Sequence, residues 1–255
     1  MSNIDKMNSQ TVVYWSCGHH TSYQYDLNHL YSTPKSLYSE IFTKRSSIKD
    51  NVNNYLSCPA TSDLLNNIFV VRAPVSTKAD LDFLTSSVNY KFDSLLDERK
   101  YKVDLQFRHQ PTLLNHNLIE YIHPIIFFSE EPSLVATLTP PYFDHVTSYS
   151  YGCVVPGSFD IGKWFREMNI EFQLWPNVNS INIPYNEALC YVHFQTQKQV
   201  ILKRFIITPE LDKLRYSLTR VSPFRKYARL SDRYRLFEQS KTKERILKII
   251  QNNII

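Results

Sequence analysis

From about residue 100 to residue 207 the chain is cut into short apolar segments at near-regular spacing, and this pattern restricts the fold more than any other feature. The segment 101–108 sets Tyr101, Val103, Leu105 and Phe107 against Lys102, Asp104, Gln106 and Arg108. That is the two-residue period of a strand with one face wet. Segments 121–129, 134–139, 145–155, 170–175, 180–183, 188–195 and 200–207 follow. Turn residues separate them at Thr139-Pro140-Pro141, Pro156-Gly157, Pro176-Asn177 and Pro184-Tyr185-Asn186. Proline lacks a ladder donor and asparagine tolerates turn backbone, so strands end there. Successive short strands without intervening helical periodicity predict a mainly β core, a sandwich, jelly roll or small barrel.

The flanks read differently. In residues 1–99, segments 11–16 (TVVYWS) and 68–72 (IFVVR) have strand character. Segment 34–44 opens with Pro34 and places Leu37, Tyr38 and Ile41 together, which predicts a short amphipathic helix. Residues 78–86 suggest a helical turn. This portion is expected to pack on the core as an irregular α+β part. Beyond Pro209, Leu211, Leu214, Leu218 and Val221 recur at helical spacing. Ser222-Pro223 interrupts them, and Tyr227, Leu230, Tyr234 and Phe237, then Ile246, Leu247, Ile249 and Ile250, resume the pattern. The expected division is 1–99, a β-rich core over 100–207, and amphipathic helices over 208–255, giving α+β overall.

Charge follows the same division. The net charge is +5, but residues 203–255 carry fourteen Lys and Arg against five Asp and Glu. The remainder is slightly acidic, so the helices are a basic tail on an acidic body; such a tail either touches a partner, which charge alone does not name, or docks its apolar side on the β core and pairs with that body. Only four glycines are present, against a typical ~7% of residues, which argues against glycine-rich phosphate loops. Cys17, Cys58, Cys153 and Cys190 are far apart and form no CxxC, which fits buried thiols in a reducing compartment. No apolar run approaches the roughly 18 residues of a membrane span, and the polar start MSNIDKMNSQ does not read as a signal peptide. These features point to the cytoplasm or to a particle assembled there.

Residues 57–74 (SCPATSDLLNNIFVVRAP), 156–172 (PGSFDIGKWFREMNIEF), 199–211 (QVILKRFIITPEL) and 234–250 resemble an uncharacterised protein family of marine tailed phages of the cyanophage type. The resemblance covers most of the chain beyond about residue 55. It implies a viral accessory or particle protein in the cytoplasm of the infected host cell or in the phage particle, and it brings no activity with it. A second likeness is at the level of fold. Gly157-Ser158-Phe159-Asp160, an aromatic at Trp164, and strands ending in Leu189-Cys190-Tyr191-Val192 are similar to the core of dUTPase-like β-clip proteins. There the aspartate helps position the attacking water, which would put Asp160 in that role. The phosphate motif with its serine and the glycine-rich arm of those enzymes are absent here, so the likeness implies a β-clip-like core, not the activity.

The residues that could carry chemistry are few. Cys17, His19 and His20 combine thiolate and imidazole, the usual zinc ligands, but three ligands this close need a fourth such as His29 or Cys58. The simpler reading is a polar turn after a buried Cys17. Asp160 with His145 or His193 is the candidate catalytic carboxylate–histidine pair, and an iron-binding triad would draw on His145, which lies beside Asp144, and on His193. Against it stands an Asp that caps a turn and histidines in ordinary structural roles. For binding, Arg225, Arg229 and Arg233 recur at four-residue intervals, and Arg235, Lys241 and Lys243 extend the series among Tyr216, Tyr227 and Tyr234.

The sequence therefore predicts an interaction protein with no cofactor, binding through its basic helical tail. A protein partner or self-association is expected first, and nucleic acid is the alternative partner. The alternative function is a β-fold enzyme, nucleotide hydrolase-like or metal-dependent oxygenase-like, acting on a small metabolite with Asp160 and a histidine.

Overall fold

The computed structural model describes residues 10–17, 31–46, 65–91, 105–108, 117–121, 124–219 and 230–255. The protein is mainly β, with several sheets and a helical C-terminal segment. The first elements are β1 (Gln10–Cys17), β2 (Lys35–Ser36), α1 (Leu37–Ser46), β3 (Ile68–Arg72), β4 (Thr77–Asp82) and β5 (Ser87–Lys91). Then come β6 (Leu105–Arg108), β7 (Leu118–Tyr121), β8 (Ile125–Ser129), β9 (Val135–Thr139), β10 (Gly152–Val154) and β11 (Gly157–Asp160). The chain continues with β12 (Ile170–Leu174), β13 (Ser180–Ile183), β14 (Ala188–Phe194) and β15 (Gln199–Arg204). It closes with α2 (Pro209–Thr219), α3 (Leu230–Gln239) and α4 (Thr242–Gln251).

These strands form four sheets, ordered β15-β1-β8, β10-β12-β7-β6, β11-β9-β14-β3-β2 and β13-β4-β5. Pairing is antiparallel except between β1 and β15, which run parallel with Gln10 opposite Gln199. Each sheet turns one face onto a common apolar core. Val13, Trp15 and Phe127 come from the first sheet, and Ile119, Tyr121 and Phe172 from the second. Val71, Val192 and Phe194 come from the third, and Ala79 and Ile181 from the fourth. Strands β1 and β3, both from the first 99 residues, are interior strands of their sheets. The N-terminal portion thus builds the core.

Two outer faces are covered by helices. On β1 and β8 the alternate residues Tyr14, Ile126 and Phe128 face away from the central core. They pack with Phe205, Leu211, Phe237, Ile246, Leu247 and Ile250, so α2, α3 and α4 form a cap on that sheet. On the β3–β14 face, Ile68, Val70 and Tyr191 pack with Leu37 of α1. This double coverage explains why β1, β3, β8 and β14 read as continuous apolar runs.

Several sequence expectations need correction. Residues 78–86 are not a helical turn: β4 and β5 pair there as a hairpin, turning at Ser86 with φ 53°. The segment 121–129 is two strands, because Pro124 separates β7 from β8. The segment 145–155 is mostly a loop with a 3-10 turn at Thr147–Ser150, and only β10 is strand. Pro156-Gly157, expected as a turn between strands, opens the edge strand β11, which the sequence did not indicate. On α1, Leu37 is buried, but Tyr38 points outward and stacks on Phe42.

Candidate functional site

Asp160 ends β11 and begins a tight turn. Its Oδ1 accepts the Gly162 amide at 3.0 Å, and its backbone carbonyl accepts the amides of Lys163 and Trp164. Its other oxygen lies 3.3 Å from Lys163 Nζ, which also reaches Glu238 on α3 at 2.7 Å. Asp160 thus closes a turn that ties β11 to the helical cap. Lys163 is drawn above the usual lysine range by its hydrogen bonds to Glu238 and Asp160.

The histidines do not join it. His193 lies on β14 opposite Thr137, whereas Asp160 lies opposite Val135 on the far side of β9. The two are separated by two strand spacings, about 10 Å, and by a further register step. Between them runs a polar ladder: Gln195 Nε2 donates to Thr137 Oγ1 at 2.7 Å, and Thr137 Oγ1 lies 3.0 Å from Ser158 Oγ. Partial burial of His193 holds its pKa below the ordinary histidine value. His145 is exposed in the loop after β9. Its neighbour Asp144 accepts a hydrogen bond from the Tyr191 hydroxyl at 2.9 Å.

Cys17 is fully buried in the central core, and desolvation drives its thiol pKa far upward. Cys190 behaves in the same way. A protonated, core-facing thiol is a poor metal ligand. His19, His20, His29 and Cys58 lie outside the described residues. Among the described residues, no three His, Cys, Asp or Glu side chains are grouped to hold a metal ion. None of the described helices is long and apolar enough to cross a membrane.

The tail cations divide into two groups. Arg225 and Arg229 lie outside the described residues. Of the others, Arg235 is exposed and lies 3.3 Å from Asp232, and Arg233 is half-buried on α3. Lys243 Nζ donates to the Glu130 carbonyl at 2.9 Å, and burial lowers its pKa. Arg215, buried on α2 of the cap, pairs with Glu167 and Asp212. Arg245 pairs with Glu210, joining α4 to α2. Lys241, Arg245 and Lys248 fall at i, i+4 and i+7 and are all exposed, opposite the buried Ile246, Leu247 and Ile250.

One cleft carries two carboxylates, Glu120 and Glu171, that the sequence reading did not single out. It has a volume of about 290 Å³ and lies between the edge strand β11 and the β12–β7 pair. Glu120, only 1% exposed, and Glu171 stand directly opposite each other across β7 and β12. Asn169 Nδ2 donates to Glu120 Oε1. The aromatic wall is Phe159 and Trp164, with ring centroids 5.0 Å apart, and the Arg166 guanidinium lies 4.4 Å over the Trp164 ring. Behind that ring stands Tyr234, whose hydroxyl pKa is pushed up to about 12, chiefly by burial. Glu120 and Glu171 come from strands far apart in the chain, and only the register brings them together.

The chain matches no protein-family model, no curated protein and no solved structure.

Proposed function

We propose that the protein is a non-enzymatic interaction protein, an accessory or particle component of the tailed-phage type, that docks an acidic protein partner on its basic helical cap. The observation that carries this reading is the outward row of Lys241, at the N-cap of α4, with Arg245 and Lys248 on the helix, backed by the buried row Ile246, Leu247 and Ile250. The buried row anchors the helix on the β1–β8 sheet, so the cations are held on a fixed surface. A pre-positioned row of like charges steers an oppositely charged partner without paying to order a floppy tail. Exposed Lys203 and Lys213 add to the same sign of charge. The resemblance over residues 156–172 and 199–211 supports the phage setting.

The test is binding of a fluorescent polyglutamate 20-mer and a DNA duplex, followed by anisotropy at low and high salt. Polyglutamate binding that weakens with salt is expected. The double variant Lys241→Glu/Lys248→Glu, which leaves the Arg245–Glu210 pair intact, should weaken it by about tenfold or more. No binding at low salt, or equal binding by the variant, would overturn the proposal. Preference for the duplex would move the partner class to nucleic acid.

A further inference from the structure

A groove of about 740 Å³ is lined by α1 and by the turn that joins β13 to β14. Arg72, at the end of β3, bridges the two. Its Nη2 donates to Glu40 Oε2 on α1, and its Nη1 donates to the Asn186 carbonyl in the turn at 3.1 Å. The two side chains are largely enclosed, at 19% exposed for Arg72 and 13% for Glu40. An enclosed ion pair adds little net stability, because desolvation offsets much of the attraction. These bonds use only part of each group. Glu40 Oε1 and Arg72 Nε have no partner among the described residues. The pair therefore holds an acceptor and a donor in reserve on the groove wall, with its own charge already cancelled.

The turn contributes an aromatic ring. Tyr185 is 67% exposed and lines the same groove. Its backbone is fixed: the Tyr185 amide donates to Ser76 Oγ at 3.0 Å, and the Asn186 amide donates to the Ala73 carbonyl at 2.9 Å. Asn186 itself sits at φ 65°, in the left-handed region that suits asparagine.

The lining indicates which ligand chemistry fits. Lys35 and Arg72 are matched by Glu40 and by Asp144, which accepts from the Tyr191 hydroxyl. Such a wall selects neither an anion nor a cation. Ser32, Thr33, Ser36 and Ser39 add hydroxyls, each both donor and acceptor. Adjacent hydroxyls on a ligand match the ion pair directly: one donates to Glu40 Oε1 while its neighbour accepts from Arg72, both in charge-assisted bonds. The C–H face of a sugar ring is apolar enough to pack on an exposed aromatic ring. The groove volume lies within the usual range for small-ligand sites, roughly 300–1,000 Å³.

We propose that this groove binds a neutral saccharide, with the Arg72–Glu40 pair reading adjacent hydroxyls and Tyr185 packing on the sugar ring. The saccharide is either a free sugar or a unit of a polysaccharide chain.

The probes are the methyl glycosides of glucose, galactose, mannose and N-acetylglucosamine, and a linear hexasaccharide of each sugar. Affinity is measured by titration calorimetry, and the site is located by the ring resonances of Tyr185, assigned with Tyr185→Ala. At least one neutral probe should bind and shift those resonances saturably, with the same affinity at low and high salt. Methyl glucuronide and glucosamine, the charged analogues, should bind no tighter than the neutral probes. Tyr185→Ala and Glu40→Gln should each weaken binding by roughly tenfold. Tyr185→Ala should leave the thermal midpoint unchanged, since the ring is exposed. Tighter binding of a hexasaccharide than of its glycoside assigns the groove to a polysaccharide, and equal binding assigns it to a free sugar. Absence of binding by every neutral probe, tighter binding of either charged analogue, or unchanged affinity in both variants would overturn the proposal. Neither variant touches the cap, and salt independence sets this result apart from the polyglutamate test.

Discussion

At the scale of single residues, the side chains that matter most for stability join distant parts of the chain. Asn67 precedes β3 with φ 58°, in the left-handed region. Its Nδ2 donates to the carbonyls of Thr196 and Lys198, and its Oδ1 accepts the amide of Val200. One side chain therefore fixes the turn between β14 and β15 against the start of β3. Asn67→Gly keeps the backbone but loses all three bonds, at about 1 kcal/mol each. Urea denaturation should show a loss of about 3 kcal/mol, and Asn67→Ala about 1 kcal/mol more for the left-handed backbone. Equal stability of Asn67→Gly and the parent would show that the clasp contributes nothing. His193 makes a different prediction, in pH. Burial lowers its pKa in the folded protein, so the unfolded chain binds the proton first as pH falls. Its contribution is intact above the unfolded value near ~6.5 and is lost progressively below it. Between pH 7 and 5 the urea midpoint should fall less steeply in His193→Gln than in the parent, and parallel slopes would refute this.

At the scale of elements, what was legible in the sequence depended on whether a strand is buried on one face or two, and on how its ends are marked. Ile68–Arg72 and Ser180–Ile183 were readable to the residue, since β-branched runs there end at Ala73-Pro74 and Pro184. The cap helices were readable because their apolar spacing matches the residues that now face Tyr14, Ile126 and Phe128. The β4–β5 hairpin was missed because its turn rests on Ser86 at positive φ and on Asp82, which accepts the amides of Leu84 and Thr85, and not on a glycine. β11 was missed because Pro156-Gly157 is a turn signal that happens to open an edge strand. In β14 the ladder slips between Ala188 and Cys190, so Leu189 and Cys190 both face the central core. Such a bulge has no periodic signature. The candidate cleft was unreadable for a related reason. Glu120 alternates with nothing polar in LIEY, and only the register with Glu171 makes it notable. Asp160 was visible, and the turn-capping role set against catalysis is the one it has, with Gly162 and Lys163 as the groups it holds.

At the scale of the whole molecule, the basic tail is part of the folded body. Strands β1 and β8 send alternate residues into two cores: Val13, Trp15, Ile125 and Phe127 inward, Tyr14, Ile126 and Phe128 toward the cap. Lifting the helices would expose the outer face of that sheet and strand Arg215, whose partner Glu167 precedes β12. The chain end adds a further tie, since Ile254 bridges Phe205 and the Ile255 amide donates to the Arg204 carbonyl. The cap and the β core should therefore unfold together. Helical circular dichroism at 222 nm and tryptophan fluorescence, which reports on the buried Trp15, should give coincident urea midpoints. Ile246→Ala removes a fully buried side chain from the cap–sheet interface. It should destabilise by about 2–5 kcal/mol and move both midpoints by the same amount. Loss of helical signal ahead of the fluorescence change would show instead that the cap melts as its own unit. The row Lys241, Arg245 and Lys248 would then lack the fixed platform on which its proposed binding role depends.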